Sequence, residues 1–229
     1  MAVITIRGQL GSGAPEIGRL IASKLHISYV DREIISEVAA HLHWPEPHVA
    51  GKEMPPGTLL GRIAEALVGG YGFAGTIEGV YLPTWEIPLD DTRYLPALKL
   101  VINDLAKSGS IVIRGRGSQF ILKDLPGAVH VLVVASLELR VKRVMESLKL
   151  DEGNAKKEIG RFDSSRREFI KRYFNAELED PVDYDLIINT NHLTFEDAVS
   201  LIITTVNFEG KAQRKGSGSL QGSHLYPRF

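Results

Sequence analysis

The sequence predicts an α/β fold in which a parallel sheet lies between two layers of helices. Short apolar runs alternate along the chain with segments of helical periodicity, and these runs are apolar throughout instead of alternating with polar residues. Strands that are buried on both faces have this composition, as in a parallel sheet covered by helices. Repeated strand–helix units of this kind build three-layer α/β domains.

The first two strand–helix units flank a glycine-rich loop. Residues 3–6 (VITI) precede the loop, and Pro15 after it suits the first position of a helix that extends to Leu25. Residues 27–30 (ISYV) precede DREIISEVAAHL, in which apolar residues recur at helical spacing. Residues 44–91 are rich in Gly and Pro and interrupt the alternation, so we expect an inserted, partly helical and mobile region there.

The third and fourth strands lie in the second half of the chain. A helical pattern over about 94–107 leads to the apolar residues 110–113 (SIVI). Residues 128–134 (AVHVLVV) end shortly before Ser136, whose hydroxyl suits the N-cap of the helix LELRVKRVMESL. Both strands therefore fit the same alternation of strand and helix.

The fifth strand comes near the end of the domain. Residues 184–189 (YDLIIN) precede a helix at whose start Thr194 and Asp197 have capping-box spacing. Beyond this helix the chain becomes Gly/Ser-rich and aperiodic. We therefore expect one domain over 1–209 and a flexible tail over 210–229.

The composition excludes several classes of function. The 229 residues carry a formal net charge of -1, which argues against a protein that coats nucleic acid. The absence of Cys excludes disulfides, thiolate metal sites and cysteine nucleophiles, and the seven His show no spacing typical of a zinc site. No apolar run approaches the roughly 18 residues of a membrane span, and the N-terminus lacks the pattern of a secretory signal. We expect a cytoplasmic protein without a resident metal site, a membrane or a nucleic-acid partner, and its oligomeric state stays open.

The loop between the first strand and the first helix has the layout of a phosphate-binding loop. Gly8 and Gly13 have the spacing of the pattern G-x-x-x-x-G-K-[ST], and a helix begins directly afterwards. Glycines allow successive backbone N–H groups to turn toward an anion at the positive end of that helix. A tight turn without a ligand is the alternative, because Ala14 replaces the lysine and Pro15 the hydroxyl residue of the pattern. The candidate phosphate-binding residues are Gly8, Gln9, Gly11, Ser12, Gly13 and Ala14.

Positive charge for such a site has to come from elsewhere in the chain. Arg114 and Arg116 follow the third strand, and the carboxyl ends of parallel strands meet at one edge of the sheet. An arginine there is placed to meet an anion with two parallel hydrogen bonds. Arg114 could equally be a surface residue paired with a carboxylate.

A second source of charge is the basic segment within 151–180. Arg166 falls on the same helical stripe as apolar residues, which is an unusual place for an unpaired cation. Asp163, three residues earlier, could orient it, and Arg161 adds to the charge of the segment. The segment is either an exposed helix face whose charged side chains form ion pairs with one another, or a basic helix that closes over a triphosphate. We favour the second interpretation.

Taken together, these segments resemble the cytidylate kinase-like family of P-loop nucleoside monophosphate kinases, up to about Asn207. The similarity implies a P-loop kinase fold with a five-stranded parallel sheet, a donor-nucleotide loop, an acceptor-binding insert at 44–91 and a basic lid within 151–180. The resemblance rests on ITIRGQLGSGAPEIGRLIASKLHISYVDREII, DDTRYLPALKLVINDLAKSGSIVIRGRGSQFIL, HVLVVASLELRVKRVM, FDSSRREFIKRYF and DPVDYDLIINTNHLTFEDAVSLI.

The resemblance also implies an activity and roles for individual residues. The protein would transfer the γ-phosphoryl group of ATP to a nucleoside monophosphate such as CMP or dCMP, with Mg²⁺ held mainly through the phosphates. Arg116 would contact the acceptor phosphate. Arg161 and Arg166 would grip phosphates, with Asp163 as their partner. The acceptor side would include Asp31, Arg32, Arg114 and Arg116.

Departures from the family pattern keep two alternatives open. Members often read Gly-Gly-Arg where this chain has Gly13, Ala14 and Pro15, and true cytidylate kinases carry an aspartate where Arg114 stands. These differences favour a catalytically weakened nucleotide-binding sensor or scaffold as one alternative. The poor match of 44–91 favours a kinase for a non-nucleotide small molecule as the other.

Overall fold

A computed structural model describes residues 2–31 and 94–216. Within them the strands form one sheet in the order β2-β3-β1-β4-β5, and every neighbouring pair is parallel. The predicted parallel sheet is therefore confirmed, with the first strand at its centre. The strands are β1 (Val3–Gly8), β2 (Ser28–Val30), β3 (Ile111–Arg114), β4 (Ala128–Val134) and β5 (Leu186–Asn189).

Three helices, at Ala14–Leu25, Tyr94–Lys107 and Leu137–Leu148, begin and end close to the predicted positions, whereas the short helix at Ser118–Ile121 was not predicted. The helix predicted for DREIISEVAAHL lies, apart from Asp31, outside the described residues. In the described ranges the helices are α1 (Ala14–Leu25), α2 (Tyr94–Lys107), α3 (Ser118–Ile121), α4 (Leu137–Leu148), α5 (Glu152–Phe174) and α6 (Phe195–Gly216), with a 3-10 turn at Pro181–Asp183. The hydroxyl of Ser136 accepts a hydrogen bond from the backbone N–H of Leu139 at 3.4 Å, as an N-cap does. Thr194 and Asp197 bond each other's backbone N–H groups at 3.2 and 3.1 Å, which confirms the capping box.

Two hydrophobic layers cover the two faces of the sheet. Ile4 and Ile6 of β1 pack with α1 and α6 in one layer. Val3 packs in the other layer with α2 and with Phe169 and Ile170 of α5. Because alternate residues of β1 enter different layers, the central strand is buried over its whole length. The three-layer arrangement positions the carboxyl end of β1 between the two helix layers.

One face of the sheet also buries polar side chains. Arg7 is 6% exposed and donates through Nη1 to the carbonyl of Leu178 at 2.6 Å. Burial lowers the pKa of its guanidinium, and the neighbouring hydroxyl of Tyr184 partly opposes this shift. Arg7 therefore holds the segment after α5 against the sheet.

His130 of β4 gives the stability of the fold a pH dependence. Its Nδ1 lies 2.8 Å from the hydroxyl of Thr5, and burial lowers the pKa of its imidazole, opposed in part by the charge of Asp185. Since the folded-state pKa lies below the ordinary value of about 6.5, the unfolded chain binds the proton first as the pH falls. The contribution of His130 is complete above the ordinary pKa and is lost as the pH drops from there through the folded pKa.

We therefore expect the Tm to be lower at about pH 5.5 than at about pH 7.5, by roughly 2 to 4 °C for each kcal/mol lost. Thermal unfolding followed by circular dichroism measures this difference. The variant His130→Asn keeps a hydrogen-bonding side chain without a titrating group, so its Tm should change less between the two pH values. An equal change in both proteins would contradict the assignment.

The end of the domain differs from the sequence pattern. α6 continues to Gly216, so the first residues of the expected tail are helical. Lys, Ala, Gln and Arg after Gly210 are good helix formers, which allows the helix to extend past this glycine. Arg32, the insert at 44–91 and residues 217–229 lie outside the described residues. None of the helices in the described ranges is both long and apolar enough to span a bilayer.

Candidate active site

The candidate site is built around the loop that joins β1 to α1. Gly11 and Gly13 have φ values of 82° and 94°, in the left-handed region that favours glycine, and Gly13 is the N-cap of α1. Backbone turns of this kind bring successive N–H groups to one side of a loop. The loop therefore has the backbone form that an anion site at a helix N-terminus requires.

Two arginines bond carbonyl groups in the first half of the loop. Arg166 of α5 donates through Nη1 to the carbonyl of Gly8 at 2.5 Å. Arg140 of α4 donates through Nε to the carbonyl of Leu10 at 2.8 Å and forms an ion pair with Asp163 of α5. The loop is thus connected to both helices that follow β4.

A third arginine bonds carbonyl groups in the second half of the loop. Nη1 of Arg143 lies 3.2 Å from the carbonyl oxygens of both Gly11 and Ser12. The hydroxyl of Thr190, at the end of β5, also donates to the carbonyl of Ser12 at 2.8 Å. The carbonyl of Gln9 accepts from the backbone N–H of Ser12 at 3.0 Å. Every carbonyl from Gly8 to Ser12 therefore has a donor.

The backbone N–H groups of the loop differ from its carbonyl groups in their hydrogen bonding. In residues 2–31 and 94–216, no hydrogen bond takes up the backbone N–H of Gly11, Gly13 or Ala14. Ser12 is fully buried, and its hydroxyl likewise has no partner among the described side chains and backbone. The amides around the start of α1 are available to a ligand, and the macrodipole of the helix favours a negative one. These residues fit a phosphate group.

Gly13 is predicted to be intolerant of any side chain. A Cβ at this position would collide with the ring of Phe195, and the φ of 94° is unfavourable for residues other than glycine. We expect Gly13→Ala to lower the free energy of unfolding by about 1 to 3 kcal/mol from backbone strain alone. Urea denaturation measures the loss.

Gly160 provides the matched control for this substitution. It lies within α5, and an added Cβ there would meet nothing within 4 Å. Gly160→Ala should therefore raise the free energy of unfolding by roughly 0.5 to 1 kcal/mol, because alanine is the better helix former. If both substitutions shifted the urea midpoint in the same direction, the proposed packing of the loop would be contradicted.

Asp31 and Arg114 are brought together at the ends of β2 and β3. Arg114 donates through Nε and Nη2 to the two carboxylate oxygens of Asp31 at 2.9 and 2.5 Å. The hydroxyl of Tyr29 donates to the same carboxylate at 3.0 Å, and burial raises the pKa of this hydroxyl, so it stays protonated. Arg114 is thus paired with a carboxylate, as one of the two interpretations expected, but its side chain is only 12% exposed and is not on the surface. Its proposed role at an acceptor stays a prediction.

Arg116 and Arg166 lie at the same edge of the sheet, each against an aromatic ring of α5. The backbone N–H of Gly115 donates to the carbonyl of Ile6 at 3.2 Å, which holds the turn containing Arg116 beside the end of β1. The guanidinium of Arg116 lies 5.6 Å from the centre of the Phe169 ring. Arg166 lies 3.8 Å from the ring centre of Phe162. The contact with Phe162 and the bond to Gly8 hold Arg166 next to the loop. The contact with Phe169 holds Arg116 against α5.

Two other predicted site residues have different surroundings. Arg161 is exposed on α5 and pairs with Glu158 at 2.7 Å. Asp163, which we expected to orient Arg166, pairs instead with Arg140 because apolar packing between α4 and α5 brings that arginine within reach. Asp163 therefore acts on the loop through Arg140.

The side chain of Gln9 does not enter the loop interior. Its Oε1 accepts from the backbone N–H of Ala135 and its Nε2 donates to Glu179, both at 3.2 Å. Gln9 thus connects the loop to the end of β4 and to the segment after α5. Among the described residues, no group of three or more His, Asp and Glu side chains could hold a metal ion.

Sequence reasoning missed Arg140, Arg143 and Thr190. The signal available was the spacing of the two arginines in LELRVKRVM, on a helix that starts directly after a strand at the carboxyl edge of the sheet. Residues three apart on a helix share a face, so both can reach the same loop. No local pattern marks Thr190, whose partner Ser12 is 178 residues away along the chain.

Comparison with known proteins identifies a family whose model matches most of this chain. Residues 3–192 match the model of the cytidylate kinase-like family. A cytidylate kinase from Sulfolobus acidocaldarius is 24% identical over 206 residues, which cover 89% of this chain and 93% of that enzyme. A uronate isomerase from Corynebacterium glutamicum is 31% identical over 104 residues, which cover 45% of this chain and only 20% of the isomerase.

A solved structure has the same fold. It is an uncharacterized protein from Eubacterium ventriosum, with a TM-score of 0.65 and 20% sequence identity. The alignment covers 90% of this chain and 99% of that protein. At this level of identity the likeness establishes the fold alone.

Proposed function

The chain belongs to the cytidylate kinase-like family, and on that basis we propose that it is an ATP-dependent phosphotransferase acting on a nucleoside monophosphate of the CMP or dCMP type. The observation that supports this most directly is the loop after β1. All its carbonyl groups from Gly8 to Ser12 have donors, while the amides of Gly11, Gly13 and Ala14 have no acceptor within the described residues. A loop in this state suits the phosphates of a nucleotide.

The donor side of the proposed site consists of backbone groups. The amides of Gly11, Gly13 and Ala14 would hold the phosphates of ATP at the start of α1. ATP supplies the phosphoryl group that is transferred, and Mg²⁺ would be held mainly through its phosphates and water. Pro15 has no N–H and Ala14 no charge, so this chain relies on the amides and on arginines from other elements.

The acceptor side of the proposed site begins at Arg116. Its contact with Phe169 holds the guanidinium before any acceptor binds, which lowers the ordering cost of binding a phosphate. The ion pair between Asp31 and Arg114 lies at the ends of the neighbouring strands and would shape the acceptor pocket. Arg32, which the family resemblance adds to this side, lies outside the described residues. An arginine offers a phosphate two parallel donors, so Arg116 would orient the acceptor as well as attract it.

Arg161 and Arg166 would neutralise the negative charge that moves during transfer. Phosphoryl transfer requires little covalent chemistry from the protein and depends on positioning and on nearby cations. Arg166 is half-buried and already bonded to the carbonyl of Gly8, next to the proposed donor phosphates. Asp163 would act indirectly, through its ion pair with Arg140.

The proposal is tested by coupling ADP release to a spectroscopic readout with a panel of acceptors. The panel contains CMP, dCMP, the other nucleoside monophosphates and small non-nucleotide alcohols. We expect ADP release above the ATP-hydrolysis background with CMP or dCMP. If ADP were released only with a non-nucleotide acceptor, the protein would still be a kinase, but the proposal of a nucleoside monophosphate acceptor would be contradicted.

A sensor or scaffold that binds nucleotide without turnover is the second candidate. The observation that favours it is the ion pair of Arg114 with Asp31, because Arg114 stands where true cytidylate kinases carry an aspartate and its guanidinium is bonded to both carboxylate oxygens of Asp31. Calorimetry separates the two functions. Binding of ATP without ADP release for any acceptor would support the sensor and contradict the phosphotransferase.

A further inference from the structure

We propose that Arg140 and Arg143 of α4 are positioning residues. By bonding the carbonyl groups of the loop on one side, they orient its backbone N–H groups toward the opposite side, where the phosphates would bind. The inference rests on the proposed function in one respect, namely that the loop receives the phosphates of a nucleotide. In this proposal α4 supports phosphate binding by the loop. The loop itself lacks the usual residues for this, because Ala14 and Pro15 replace the lysine and the hydroxyl residue of the phosphate-binding pattern.

The planarity of the peptide bond connects the carbonyl groups to the amides. In a trans peptide the C=O of one residue and the N–H of the next point in opposite directions. Arg140 holds the carbonyl of Leu10, so the N–H of Gly11 must point away from α4. Arg143 and Thr190 hold the carbonyl of Ser12, which directs the N–H of Gly13 in the same way. These are two of the amides that have no acceptor within the described residues.

Arg143 is itself held in place on several sides. The two N–H groups of its Nη1 are shared among the carbonyl oxygens of Gly11 and Ser12 and the hydroxyl of Thr190, which lies 2.9 Å away. Its guanidinium also lies 5.1 Å from the centre of the Phe195 ring. The ring of Phe195 in turn occupies the space beside Gly13. Arg143 therefore fixes the loop against both α4 and the start of α6.

The charge of Arg143 is available to the loop. In residues 2–31 and 94–216 it forms no ion pair, and its hydrogen-bond acceptors there are uncharged carbonyl and hydroxyl oxygens. A cation bonded to a carbonyl oxygen polarises that peptide group and strengthens its N–H as a donor. Arg143 can thus supply, through the backbone, part of the attraction for phosphate that the loop lacks.

Arg140 differs from Arg143 in being neutralised. It is 5% exposed and forms an ion pair with Asp163, so its contribution is geometric. The backbone of α4 also lies against the loop at this point, because a Cβ on Gly11 would come within 2.7 Å of the carbonyl oxygen of Arg140. The two arginines therefore position adjacent parts of the loop, and Arg143 alone adds charge.

The test compares anion binding by Arg143 variants of the full chain, measured by calorimetry with inorganic tripolyphosphate and with ATP. We expect Arg143→Gln to weaken the binding of both by about ten- to a hundredfold, the range for hydrogen bonds that involve a charged group. Lys142→Gln removes the same charge from an exposed neighbour on α4 and should change either Kd by less than about twofold. Arg143→Lys keeps the charge without the planar fork, so its affinity should lie between those of wild type and Arg143→Gln.

A second measurement detects positioning in the absence of any ligand. In the nucleotide-free protein labelled with ¹⁵N-glycine, the amide resonances of Gly11 and Gly13 should shift in Arg143→Gln and stay in place in Lys142→Gln. Unmoved resonances together with wild-type affinity for tripolyphosphate would overturn the proposal. If Arg143→Gln does not fold, Arg143→Lys decides, and wild-type affinity and spectra in that variant would overturn it.

Failure of the proposed function would be recognised separately. A wild-type protein that binds neither ATP nor tripolyphosphate would contradict nucleotide binding. The glycine resonances would still report whether Arg143 positions the loop. Wild-type binding of ATP with unaffected Arg143 variants would contradict the positioning role alone.

Discussion

Replacement of Arg116 by alanine is expected to lower the kcat/KM for the nucleoside monophosphate by about 100- to 1,000-fold, the typical cost of removing one donor that stabilises charge in a transition state. In the proposed site this guanidinium holds the acceptor phosphate, and its contact with Phe169 fixes it in advance. The loss should include a raised KM for the acceptor at saturating ATP, because the phosphate is bound in the ground state as well. Steady-state ADP release with varied acceptor and constant ATP measures both quantities.

The backbone at Arg116 requires its own control. Its φ of 55° lies in the left-handed region, where alanine is as strained as arginine, so any fall in the Tm of Arg116→Ala comes from the lost contact with Phe169 and not from the backbone. Lys123→Ala removes a charge from an exposed position after α3 and should leave kcat/KM within about twofold of wild type. Turnover by Arg116→Ala at the wild-type rate would remove Arg116 from the mechanism.

Replacement of Arg166 by glutamine is expected to lower kcat by about 1,000-fold or more, in the range found for arginines that stabilise transferring phosphoryl groups. The KM for the acceptor should change little, because Arg166 is bonded to the carbonyl of Gly8 on the proposed donor side. A fall in kcat without a rise in the acceptor KM distinguishes Arg166 from Arg116, since the loss of Arg116 should raise that KM. Single-turnover measurements with preformed ATP complex would show whether the chemical step is slowed.

Arg167 provides the matched control for Arg166. It is the next residue of α5 and is exposed, so Arg167→Gln makes the same change of charge without reaching the loop. Its kcat should stay within about twofold of wild type, as for other exposed charges. Equal losses of kcat in the two variants would mean that the general positive charge of α5 is what matters, and would refute a specific role for Arg166.

Much of the fold could be predicted from patterns within short segments. Five apolar runs marked the five strands, and residues 128–134 coincide with β4. Ser136, and Thr194 with Asp197, were recognisable as caps because a cap bonds a backbone group only three residues away. The glycine loop was recognisable for a similar reason, since the spacing of Gly8 and Gly13 reflects the conformation of the loop itself.

The partners of the arginines depended on packing between distant segments. Arg7 is buried in β1 and bonded to the carbonyl of Leu178, 171 residues away. Asp163 stood at helical spacing before Arg166, but α4 brings Arg140 to it across the packed helices. Long flexible side chains reach whichever acceptor the fold brings near them, so spacing along one helix does not determine their partners.

Composition and periodicity were thus enough to predict a parallel α/β sheet and a glycine turn at the start of the first helix, because hydrophobic burial and backbone conformation act over a few residues at a time. The assignment of Arg140, Arg143 and Arg166 to particular carbonyl groups of that turn arose only when the sheet brought the ends of β1, β4 and β5 to one edge. Such contacts join residues more than a hundred positions apart, and their formation depends on the order of the strands, which no local pattern encodes.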